Sequence, residues 1–426
     1  MMKRRYVAMI SAVLCSAMIL SACGNSKKTE SIYTGDKTEV PAWQANLDAI
    51  SPSAYADVEG LDLEPGTYIS VIGRAGGTPY WDEVKKGVEQ AAEDLNESLG
   101  YSGDDKIKVV YNAPDENDNI DEMVNILDEE LARYPDVIAV SSIDESASEV
   151  QFDLATANGI PIVAFDSGNS YQGIQCICRT DNKEAAKTGV KKLCEAIGDS
   201  GEIALLLNDS VSENGKEREA GVTEEIKANH PDVSVVETIY VDELDQLKRK
   251  AAAEQLGMSA EDLAAAEAGE KMDDAAQTTG TANGSGTDTA TKDGATAPTV
   301  AEKFEEVKSA ADKMSNEEAA AYYLKKHPEL KGIFALNETS TQLGIQVLDE
   351  LDNSDEIQIV GFDAGKEQVK ALEDGKLDGL VVQNPFGMGY AAVIASARTV
   401  LEIGNEAEVN TGYVWVTAEN MDDADI

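Results

Sequence analysis

The sequence predicts an α/β fold of two doubly wound parallel-sheet lobes. From about Tyr68 onward, short segments rich in β-branched residues alternate with amphipathic helical segments, the pattern of a parallel sheet covered by helices on both faces. Nine of these segments are candidate strands, which are many for one domain of this kind, so they divide into two lobes. A chain of 426 residues is long enough to bury the two cores that this requires.

The composition indicates a soluble globular protein and argues against nucleic-acid binding. Hydrophobic residues make up 42% of the chain and charged residues 27%, which is ordinary for a soluble domain. The 80 acidic residues outnumber the 35 basic residues and give a formal net charge of −45. Because a surface with this charge repels phosphate, we predict no nucleic-acid partner.

Residues 1–23 have the pattern of a secretory signal. Positive charges at Lys3–Arg5 precede an apolar stretch, Val7–Leu20, that is too short and too poorly flanked for a stable transmembrane helix. The segment ends in Leu20-Ser-Ala-Cys23, which resembles the lipobox of bacterial lipoproteins, where the cysteine is lipidated and becomes the mature N-terminus. We therefore expect lipidation of Cys23, which holds the protein at a membrane face. The alternative is conventional cleavage beside an incidental cysteine.

The first structural unit follows a polar, aperiodic stretch, residues 24–65, that we interpret as a flexible tether. The apolar segment Tyr68–Ile72 suits a buried strand. A glycine-rich turn comes next, and Pro79 suits the first turn of a helix. Apolar residues then recur at helical spacing from Trp81 to Leu95, so one face of this helix is expected to pack on a sheet.

The glycine-rich turn has two interpretations. A dinucleotide site requires G-x-G-x-x-G, and Gly73, Gly76 and Gly77 do not have this spacing, so we predict no cofactor. The other interpretation is a solute site, because ligands of open parallel sheets bind beyond the carboxyl ends of the strands. Tyr80 and Trp81 lie at this edge. We expect one of the two rings to face the ligand, unless both pack beneath the turn.

The remaining elements continue the alternation. Further strands are predicted at 107–114, 137–142, 160–167, 203–209, 233–239, 332–337, 357–363 and 379–384. Further helices are predicted at about 120–134, 146–158, 213–228, 339–351, 365–374 and 385–403. Residues 275–299 contain no large apolar side chain, so a disordered insertion is predicted there, with a partner-binding loop as the alternative.

Several predicted strands end in residues that form hydrogen bonds. These are Ser142, Asp144, Asp166, Asn208, Asp209, Asn337, Asp363 and Gln383. Because the carboxyl ends of parallel strands converge on one edge, carboxylates and amides there suit a hydroxyl-rich ligand, and an aromatic ring suits the apolar face of a sugar. Any single member of the set could instead be a helix N-cap.

Three cysteines remain after the signal segment. Cys176 and Cys178 lie two residues apart on a predicted strand and cannot readily bond to each other, and Cys194 leaves the total odd. No histidine lies near the pair. We therefore expect buried free thiols and no metal site.

The order and spacing of several motifs resemble the type I periplasmic binding proteins of ribose- and galactose-binding type. The resemblance covers the chain from about Tyr68 to the C-terminus, apart from the insertion. The motifs are GTPYW (Gly77–Trp81), IPIVAFD (Ile160–Asp166), TDN (Thr180–Asn182), REAG (Arg218–Gly221), GIFALNETSTQLG (Gly332–Gly344), IVGFDAG (Ile359–Gly365), GLVVQNPFGMG (Gly379–Gly389) and TAEN (Thr417–Asn420).

This resemblance implies two lobes, joined by three crossover strands, that close on a solute. The implied N-terminal lobe contains residues 66–179 and 385–412, and the implied C-terminal lobe contains residues 180–384 and 413–426. The implied ligand-binding residues are Tyr80, Trp81, Asp144, Asp166, Arg218, Asn337, Asp363 and Gln383, with Asp144 the loosest match. Ser167 stands where ribose-type proteins often have arginine, and the galactose-type calcium loop is not visible, so the sugar stays open and no metal is assigned.

Arg218 also has a role that follows from its chemistry. Its guanidinium could donate to a ring oxygen and a hydroxyl of a sugar, and could pair with Asp166 or Asp363 across the cleft. The alternative is a surface arginine that pairs with Glu213 or Glu217 on its own helix.

The predicted function is binding and not catalysis. The sequence has no H-E-x-x-H, G-x-S-x-G or P-loop motif, and paired carboxylates such as Asp166 and Asp363 are the remaining alternative, for glycoside cleavage. We expect a monomeric, lipid-anchored, extracytoplasmic receptor of a bacterial ABC importer, which binds a small sugar and delivers it to a permease. The alternative is a sugar or autoinducer sensor whose closed form is recognised by a membrane receptor or a histidine kinase.

Overall fold

The computed structural model describes residues 41–116, 118–144, 146–278, 299–352 and 354–421, with the backbone alone at 271–278. The predicted signal segment with Cys23, the tether up to residue 40 and residues 279–298 of the predicted insertion lie outside these ranges. None of the helices within the ranges is long and apolar enough to cross a membrane.

Strands and helices alternate along the described chain. The strands are β1 (Tyr68–Ile72), β2 (Lys108–Asn112), β3 (Val137–Val140), β4 (Ile162–Phe165), β5 (Ile174–Arg179), β6 (Gly201–Leu207), β7 (Val233–Tyr240), β8 (Leu330–Ala335), β9 (Gln358–Phe362), β10 (Gly379–Gln383), β11 (Glu408–Asn410) and β12 (Tyr413–Val416). The helices are α1 (Gln44–Asp48), α2 (Pro79–Leu99), α3 (Ile120–Leu131), α4 (Glu149–Ala157), α5 (Asn182–Ala196), α6 (Glu213–Asn229), α7 (Leu244–Gln255), α8 (Ala260–Thr278), α9 (Val300–Ala311), α10 (Asn316–Leu324), α11 (Glu338–Leu348), α12 (Lys366–Glu373) and α13 (Pro385–Val400). Each of the nine predicted strands is present with its ends shifted by a few residues.

The strands form two six-stranded sheets, which confirms the predicted fold class. The first sheet has the order β11-β5-β4-β3-β1-β2, and all of its neighbouring strands pair in parallel. The second has the order β12-β10-β9-β8-β6-β7, and only β12 is antiparallel to its neighbour. The strands of each sheet lie within the residues proposed for one lobe.

The chain passes between the two sheets three times. It enters the second sheet after β5, returns to the first after β10, and crosses again between β11 and β12. Thr411, in the last of these connections, is fully buried, and its N–H donates to the carbonyl oxygen of Arg179 at the end of β5 (2.9 Å). Adjacent connections are therefore bonded to each other, as a hinge of three strands requires.

The ends of helix α2 show why it forms directly after β1. Thr78 Oγ1 accepts the N–H of Trp81 (3.4 Å), and Pro79 occupies the first helical position, where its missing N–H costs nothing. Gly100 ends the helix with a φ of 70°, a left-handed conformation that glycine adopts without strain. The predicted apolar stripe, from Trp81 to Leu95, is the buried face.

Helices α2 and α13 pack backbone to backbone in the N-terminal lobe. A Cβ atom on Gly87 of α2 would collide with the carbonyl group of Phe386, and one on Gly389 of α13 would collide with the carbonyl group of Val84. The two glycines therefore allow a close approach that any larger side chain would prevent. Helix α13 is buried along almost its entire length because it lies between α2 and strands β3 to β5.

The segment before β1 differs from the predicted tether. Residues 44–63 contain helix α1 and pack on the N-terminal lobe, where five of their apolar side chains are almost fully buried. These are Leu47, Ile50, Tyr55, Leu61 and Leu63. Their irregular spacing has neither a helical nor a strand period, which is why the sequence looked unstructured here.

A group of helices extends the C-terminal lobe between β7 and β8. Helices α7, α8 and α9 share a small core of their own, to which Met258, Leu263, Phe304 and Val307 contribute. The predicted insertion is therefore narrower than 275–299, because α8 continues to Thr278 and Thr299 caps α9.

The three cysteines of the described chain are as predicted. Cys176, Cys178 and Cys194 are buried and form no disulfide. Burial, together with the neighbouring Cys176 thiol, raises the pKa of the Cys178 thiol well above its usual value.

Candidate functional site

A cavity of about 250 Å³, here called the inner cavity, lies between the lobes. Residues that follow strand ends in both sheets line it, as the topology of a doubly wound fold predicts. Seven of the eight predicted site residues are among them: Tyr80, Trp81, Asp166, Arg218, Asn337, Asp363 and Gln383.

Asp144, the eighth predicted residue, is not brought to the inner cavity. Its carboxylate accepts the backbone N–H groups of Ser146 (2.9 Å) and Ala147 (2.8 Å), so it stabilises the turn after β3. The Asp144 carboxylate is thus engaged in its own turn, and the N-cap position of the next helix, α4, is occupied by Ser148. From the same connection, Ser141 reaches the site instead, where its hydroxyl donates to Asp166 (2.9 Å).

Tyr80 and Trp81 both border the inner cavity, but their environments differ. Trp81 is 7% exposed and meets Phe165 edge to face with ring centroids 6.3 Å apart, so it is largely a core residue. Tyr80 is half-buried, and its hydroxyl donates to Asp166 Oδ1 (2.9 Å). Burial and the charges of Asp166 and Asp363 raise the pKa of Tyr80 well above its usual value, so the phenol stays protonated.

Asp166 and Asp363 occupy equivalent positions in the two sheets. Asp166 follows β4 and Asp363 follows β9, and both have a left-handed backbone, with φ values of 55° and 65°. In each case the N–H donates to a carbonyl of the next strand, that of Cys178 for Asp166 and that of Val381 for Asp363 (both 2.9 Å). Aspartate is one of the few residues that adopts this conformation readily. The fold thus supplies one carboxylate from each lobe.

Asp166 accepts hydrogen bonds from both lobes. Tyr80 and Ser141 donate to it from the N-terminal lobe, and Asn214 Nδ2 on α6 donates to it from the C-terminal lobe (3.3 Å). Three donors on one buried carboxylate satisfy most of its accepting capacity. The residue therefore links the two walls of the cavity.

Asp363 is buried and held by its own lobe. It accepts from Gln383 Nε2 (2.8 Å) and from the backbone N–H of Glu338 (3.0 Å). Burial raises the pKa of this carboxyl above its usual value, although the charge of Arg218 and the Gln383 hydrogen bond oppose the shift.

Arg218 is a buried cavity residue, as the first of its two interpretations required. Its Nε donates to Asn182 Oδ1 (2.9 Å) and its Nη1 to the carbonyl oxygen of Leu336 (2.6 Å). The guanidinium also lies 4.5 Å from the ring centroid of Phe362, a favourable cation–π contact. Neither predicted aspartate is one of these hydrogen-bond partners.

The acidic residues of the surface alternative pair with a different arginine. Arg179, at the end of β5, lies 3.3 Å from Glu213, 3.1 Å from Glu217 and 3.2 Å from Glu408. Because α6 belongs to the C-terminal lobe and β5 and β11 to the N-terminal lobe, this cluster joins the lobes beside the hinge.

A charged cluster at one end of the inner cavity was missed by the sequence analysis. Arg74 is 7% exposed and pairs with Asp118 (2.6 Å) and with Asp209 of the other lobe (3.6 Å). Asn208 also reaches across the cleft and donates to Asp118 (2.8 Å). The sequence shows the polar residues that follow β6, but it gives no indication that an arginine within a glycine-rich turn is buried.

Electrostatics explain why the cluster keeps its charges. Burial alone would lower the pKa of Arg74, but the charges of Asp118, Asp166 and Asp209 raise it above its usual value. Burial alone would raise the pKa of Asp209, but the N–H of Ser212 and the charge of Arg74 hold it below the usual range. The lobes are thus in charged contact beside the cavity.

Glu338 is a second lining residue that the sequence analysis missed. It lies in the first turn of α11, directly after Asn337, whose Oδ1 caps the helix by accepting the N–H of Ser340 (2.9 Å). Burial and the nearby charge of Asp363 raise the pKa of Glu338 to about 7, although the nearby backbone N–H of Tyr80 opposes the shift.

The arrangement is suited to enclosing a hydroxyl-rich molecule. Carboxylates and amides accept and donate at several points of the wall, and Tyr80 and Trp81 add aromatic surface. Within the described ranges, no group of three or more histidine, cysteine or acidic side chains is placed to hold a metal ion.

Three solved structures of sugar-transport proteins share this fold. A carbohydrate transporter solute-binding protein from Agrobacterium radiobacter, solved in complex with D-arabinose, is 21% identical with a TM-score of 0.60, over 84% of this chain and 96% of that chain. GanP, a glucose-galactose binding protein from Geobacillus stearothermophilus, is 19% identical with a TM-score of 0.59, over 84% and 99%. A sugar ABC transporter (sugar-binding protein) from Bacillus halodurans is 22% identical with a TM-score of 0.58, over 84% and 99%. No curated protein sequence matches the chain.

The sequence itself matches a family model described as a periplasmic binding protein domain, over residues 69–283 and 262–402. Together these stretches cover more than half of the chain and include strands β2 to β10. The match confirms the predicted resemblance, and with it the prediction of a binding protein and not an enzyme. The chain belongs to the periplasmic binding protein domain family.

Proposed function

We propose that this protein is the solute-binding component of an ABC importer and that it binds a sugar in the inner cavity. The observation that carries the proposal is the pair Asp166 and Asp363, one from each lobe, at a cavity of about 250 Å³ bordered by Tyr80 and Trp81. Carboxylates from both walls can accept hydroxyl protons from one ligand only when the lobes are together. Binding would therefore favour the closed arrangement over an open one.

The lining residues have complementary roles in this proposal. Asp166 and Asp363 accept sugar hydroxyls, and Arg218, Asn337 and Gln383 supply donors. The aromatic rings cover the apolar face of the sugar. The D-arabinose complex of the Agrobacterium radiobacter protein and the glucose-galactose description of GanP support a sugar as the ligand, because both proteins have this fold.

Delivery to a permease requires the protein to be held outside the cytoplasm. We propose lipidation at Cys23 as the anchor, on the strength of the Leu20-Ser-Ala-Cys23 motif. The test is to express the full chain and Cys23→Ser in a bacterial host and to follow both in membrane and soluble fractions. Wild type should be in the membrane fraction and the variant should leave it; equal distribution of the two would contradict lipidation.

The sugar itself is identified by thermal unfolding of the chain that starts after Cys23. The panel contains pentoses, hexoses, disaccharides and furanose autoinducers. A ligand at 100 times its dissociation constant stabilises the folded state by about 2.7 kcal/mol, which gives a visible rise in melting temperature. A rise with one sugar would support the proposal, and a folded protein that responds to no member of the panel would contradict it.

A further inference from the structure

A second cavity adjoins the inner cavity on the side away from the Arg74 cluster. This outer cavity has a volume of about 480 Å³ and is lined by both lobes. Four residues line both cavities: Tyr80, Glu338, Asp363 and Gln383. The two cavities are therefore neighbouring compartments of one cleft and share a wall.

The shared wall is formed by residues of both lobes. Tyr80, at the start of α2, and Glu338, at the start of α11, line both cavities from opposite lobes. The lobes are in contact beside the inner cavity, where Asn208 donates to Asp118 and Asn214 donates to Asp166. Because these contacts already join the lobes, the outer cavity is space that this arrangement of the lobes leaves unfilled.

The lining of the outer cavity combines an apolar surface with polar groups. Pro79, Val382, Pro385 and Phe386 supply the apolar part. Phe386 is held in place by Trp43, which stacks on it with ring centroids 5.9 Å apart and an interplanar angle of 16°.

The outer cavity adds polar groups from three separate elements to those that it shares with the inner cavity. Asn46 is contributed by α1, Asp82, Glu83 and Lys86 by α2, and Lys366 by the first turn of α12. A wall that combines apolar surface with several hydrogen-bonding groups suits a carbohydrate.

The sizes of the cavities indicate how many sugar rings each can hold. The inner cavity, at about 250 Å³, lies just below the range of roughly 300–1,000 Å³ that is typical of small-molecule pockets, so it suits a single ring. The outer cavity, at about 480 Å³, adds room for at least one more ring in direct continuation.

We propose that the outer cavity is a second sugar subsite, so that the natural ligand is a disaccharide or a longer glycoside. One ring lies in the inner cavity and the next ring in the outer cavity, and the glycosidic bond passes the shared wall beside Tyr80 and Glu338. This inference rests on the proposed function, because it assumes that the inner cavity binds the first ring. In this proposal helix α1, residues 44–48, contributes to ligand binding, since Asn46 is part of the subsite.

The test compares matched sugars on the wild-type chain that starts after Cys23. Isothermal titration measures galactose against lactose and melibiose, glucose against cellobiose and maltose, and xylose against xylobiose. The inference predicts that a disaccharide binds at least tenfold more tightly than the monosaccharide with which it is compared. A monosaccharide that binds as tightly as, or more tightly than, each of its disaccharides overturns the inference and leaves the proposed function intact. If no sugar binds to the folded protein, the proposed function and the inference both fail.

A variant with a larger side chain tests whether the second ring lies in the outer cavity. Ala364 is exposed and lines the outer cavity but not the inner one, so Ala364→Trp fills the second compartment alone. The expected result is at least a tenfold loss of disaccharide affinity with monosaccharide affinity changed less than twofold. Glu373→Trp, at the exposed far end of α12, the helix that follows Ala364, is the matched control and should change neither affinity. Equal losses for the monosaccharide and the disaccharide in Ala364→Trp would contradict a separate subsite.

A second variant removes a contact where Ala364→Trp adds bulk. Asn46→Ala shortens a side chain on α1 that lines only the outer cavity. It should weaken disaccharide binding several-fold and leave monosaccharide binding unchanged. An unchanged disaccharide affinity would exclude Asn46 and, together with a silent Ala364→Trp, the subsite itself.

Discussion

Asp363 is held by donors from two elements of its own lobe, and its carboxylate is almost fully buried at the cavity wall. Hydrogen bonds to charged groups contribute about 1.5–3 kcal/mol each, so Asp363→Ala is expected to weaken sugar binding by at least tenfold. Isothermal titration measures the change. Asp144→Ala is the matched control, because Asp144 also follows a strand but bonds only to the turn after β3. Unchanged affinity in Asp363→Ala would remove this residue from the site.

Glu338 gives the stability of the protein a pH dependence with a defined sign. Its pKa of about 7 in the folded protein exceeds the value of 4.5 expected after unfolding, so between these pH values the folded state holds more protons. The stabilising contribution of this group is complete below pH 4.5 and is lost as the pH rises to about 7. Glu338→Gln removes this component.

The measurement for Glu338 is the difference in melting temperature between wild type and Glu338→Gln, taken at pH 5 and pH 8. The melting temperature of wild type minus that of the variant should be higher at pH 5 than at pH 8. Shifted carboxyl groups that are not coupled to Glu338, such as Asp378 before β10, titrate in both proteins and cancel in the difference. A difference that does not change with pH would show that the environment of Glu338 does not perturb its proton affinity.

At the residue scale, strand ends and the family resemblance together predicted seven residues that line the inner cavity and missed others, such as Arg74 and Glu338. Asp166 and Asp363 follow strands and Gln383 ends one, so topology alone brings them to one edge. The same argument does not bring Asp144 to the cavity, because its carboxylate bonds to its own turn. Arg74 could not be predicted, because its burial depends on acidic partners that are distant in the chain.

At the element scale, the pair α2 and α13 offers a direct test of the close backbone contact. Gly87→Ala places a methyl group against the carbonyl group of Phe386, and overpacking of this kind destabilises proteins by about 1–3 kcal/mol. Gly269→Ala in α8 is the matched control, since a Cβ there meets no other atom within 4 Å. Alanine favours a helix over glycine, so the control should be neutral or up to about 1 kcal/mol more stable. Urea denaturation of both variants measures the shifts, and a stabilised Gly87→Ala would contradict the packing.

Elements with a clear period were predicted well, and elements without one were not. Strands β1 to β4 and β6 to β10 are short apolar runs with polar ends, which is a strong local signal. Strands β11 and β12 were not predicted: β11 has only three residues, and β12 follows it without an intervening helix and is antiparallel to its neighbour, so neither fits the alternation of strands and helices. The segment before β1 is folded by contacts with α13 and β11 that are formed by residues more than 300 positions later in the sequence.

At the scale of the whole molecule, the ion pairs of Arg74 connect the two lobes beside the inner cavity. Arg74→Gln removes the guanidinium that contacts both Asp118 and Asp209, and breaking a buried pair in this way costs about 3–5 kcal/mol. Because Asp209 belongs to the other lobe, part of this cost falls on the closed arrangement. We expect weaker sugar binding and a larger radius of gyration in small-angle scattering.

The control for this experiment is Arg249→Gln. Arg249 lies 3.8 Å from Glu267 and is 43% exposed, and exposed pairs contribute only about 0–1 kcal/mol. It should leave the radius of gyration and sugar binding unchanged. A wild-type radius for Arg74→Gln in the absence of sugar would show that its ion pairs do not hold the lobes together.

The packing of residues 44–63 joins the start of the described chain to the N-terminal lobe and the hinge. Asn384, in the hinge, donates to the carbonyl oxygen of Asn46 (2.6 Å), and Ser51 and Asn410 exchange two backbone hydrogen bonds (2.8 and 3.0 Å). A load applied at residue 42 is therefore transmitted to the N-terminal lobe and the base of the hinge before it reaches β1. Under the proposed lipid anchoring, we expect the N-terminal lobe to stay fixed relative to the membrane and the C-terminal lobe to carry the motion that accompanies sugar binding.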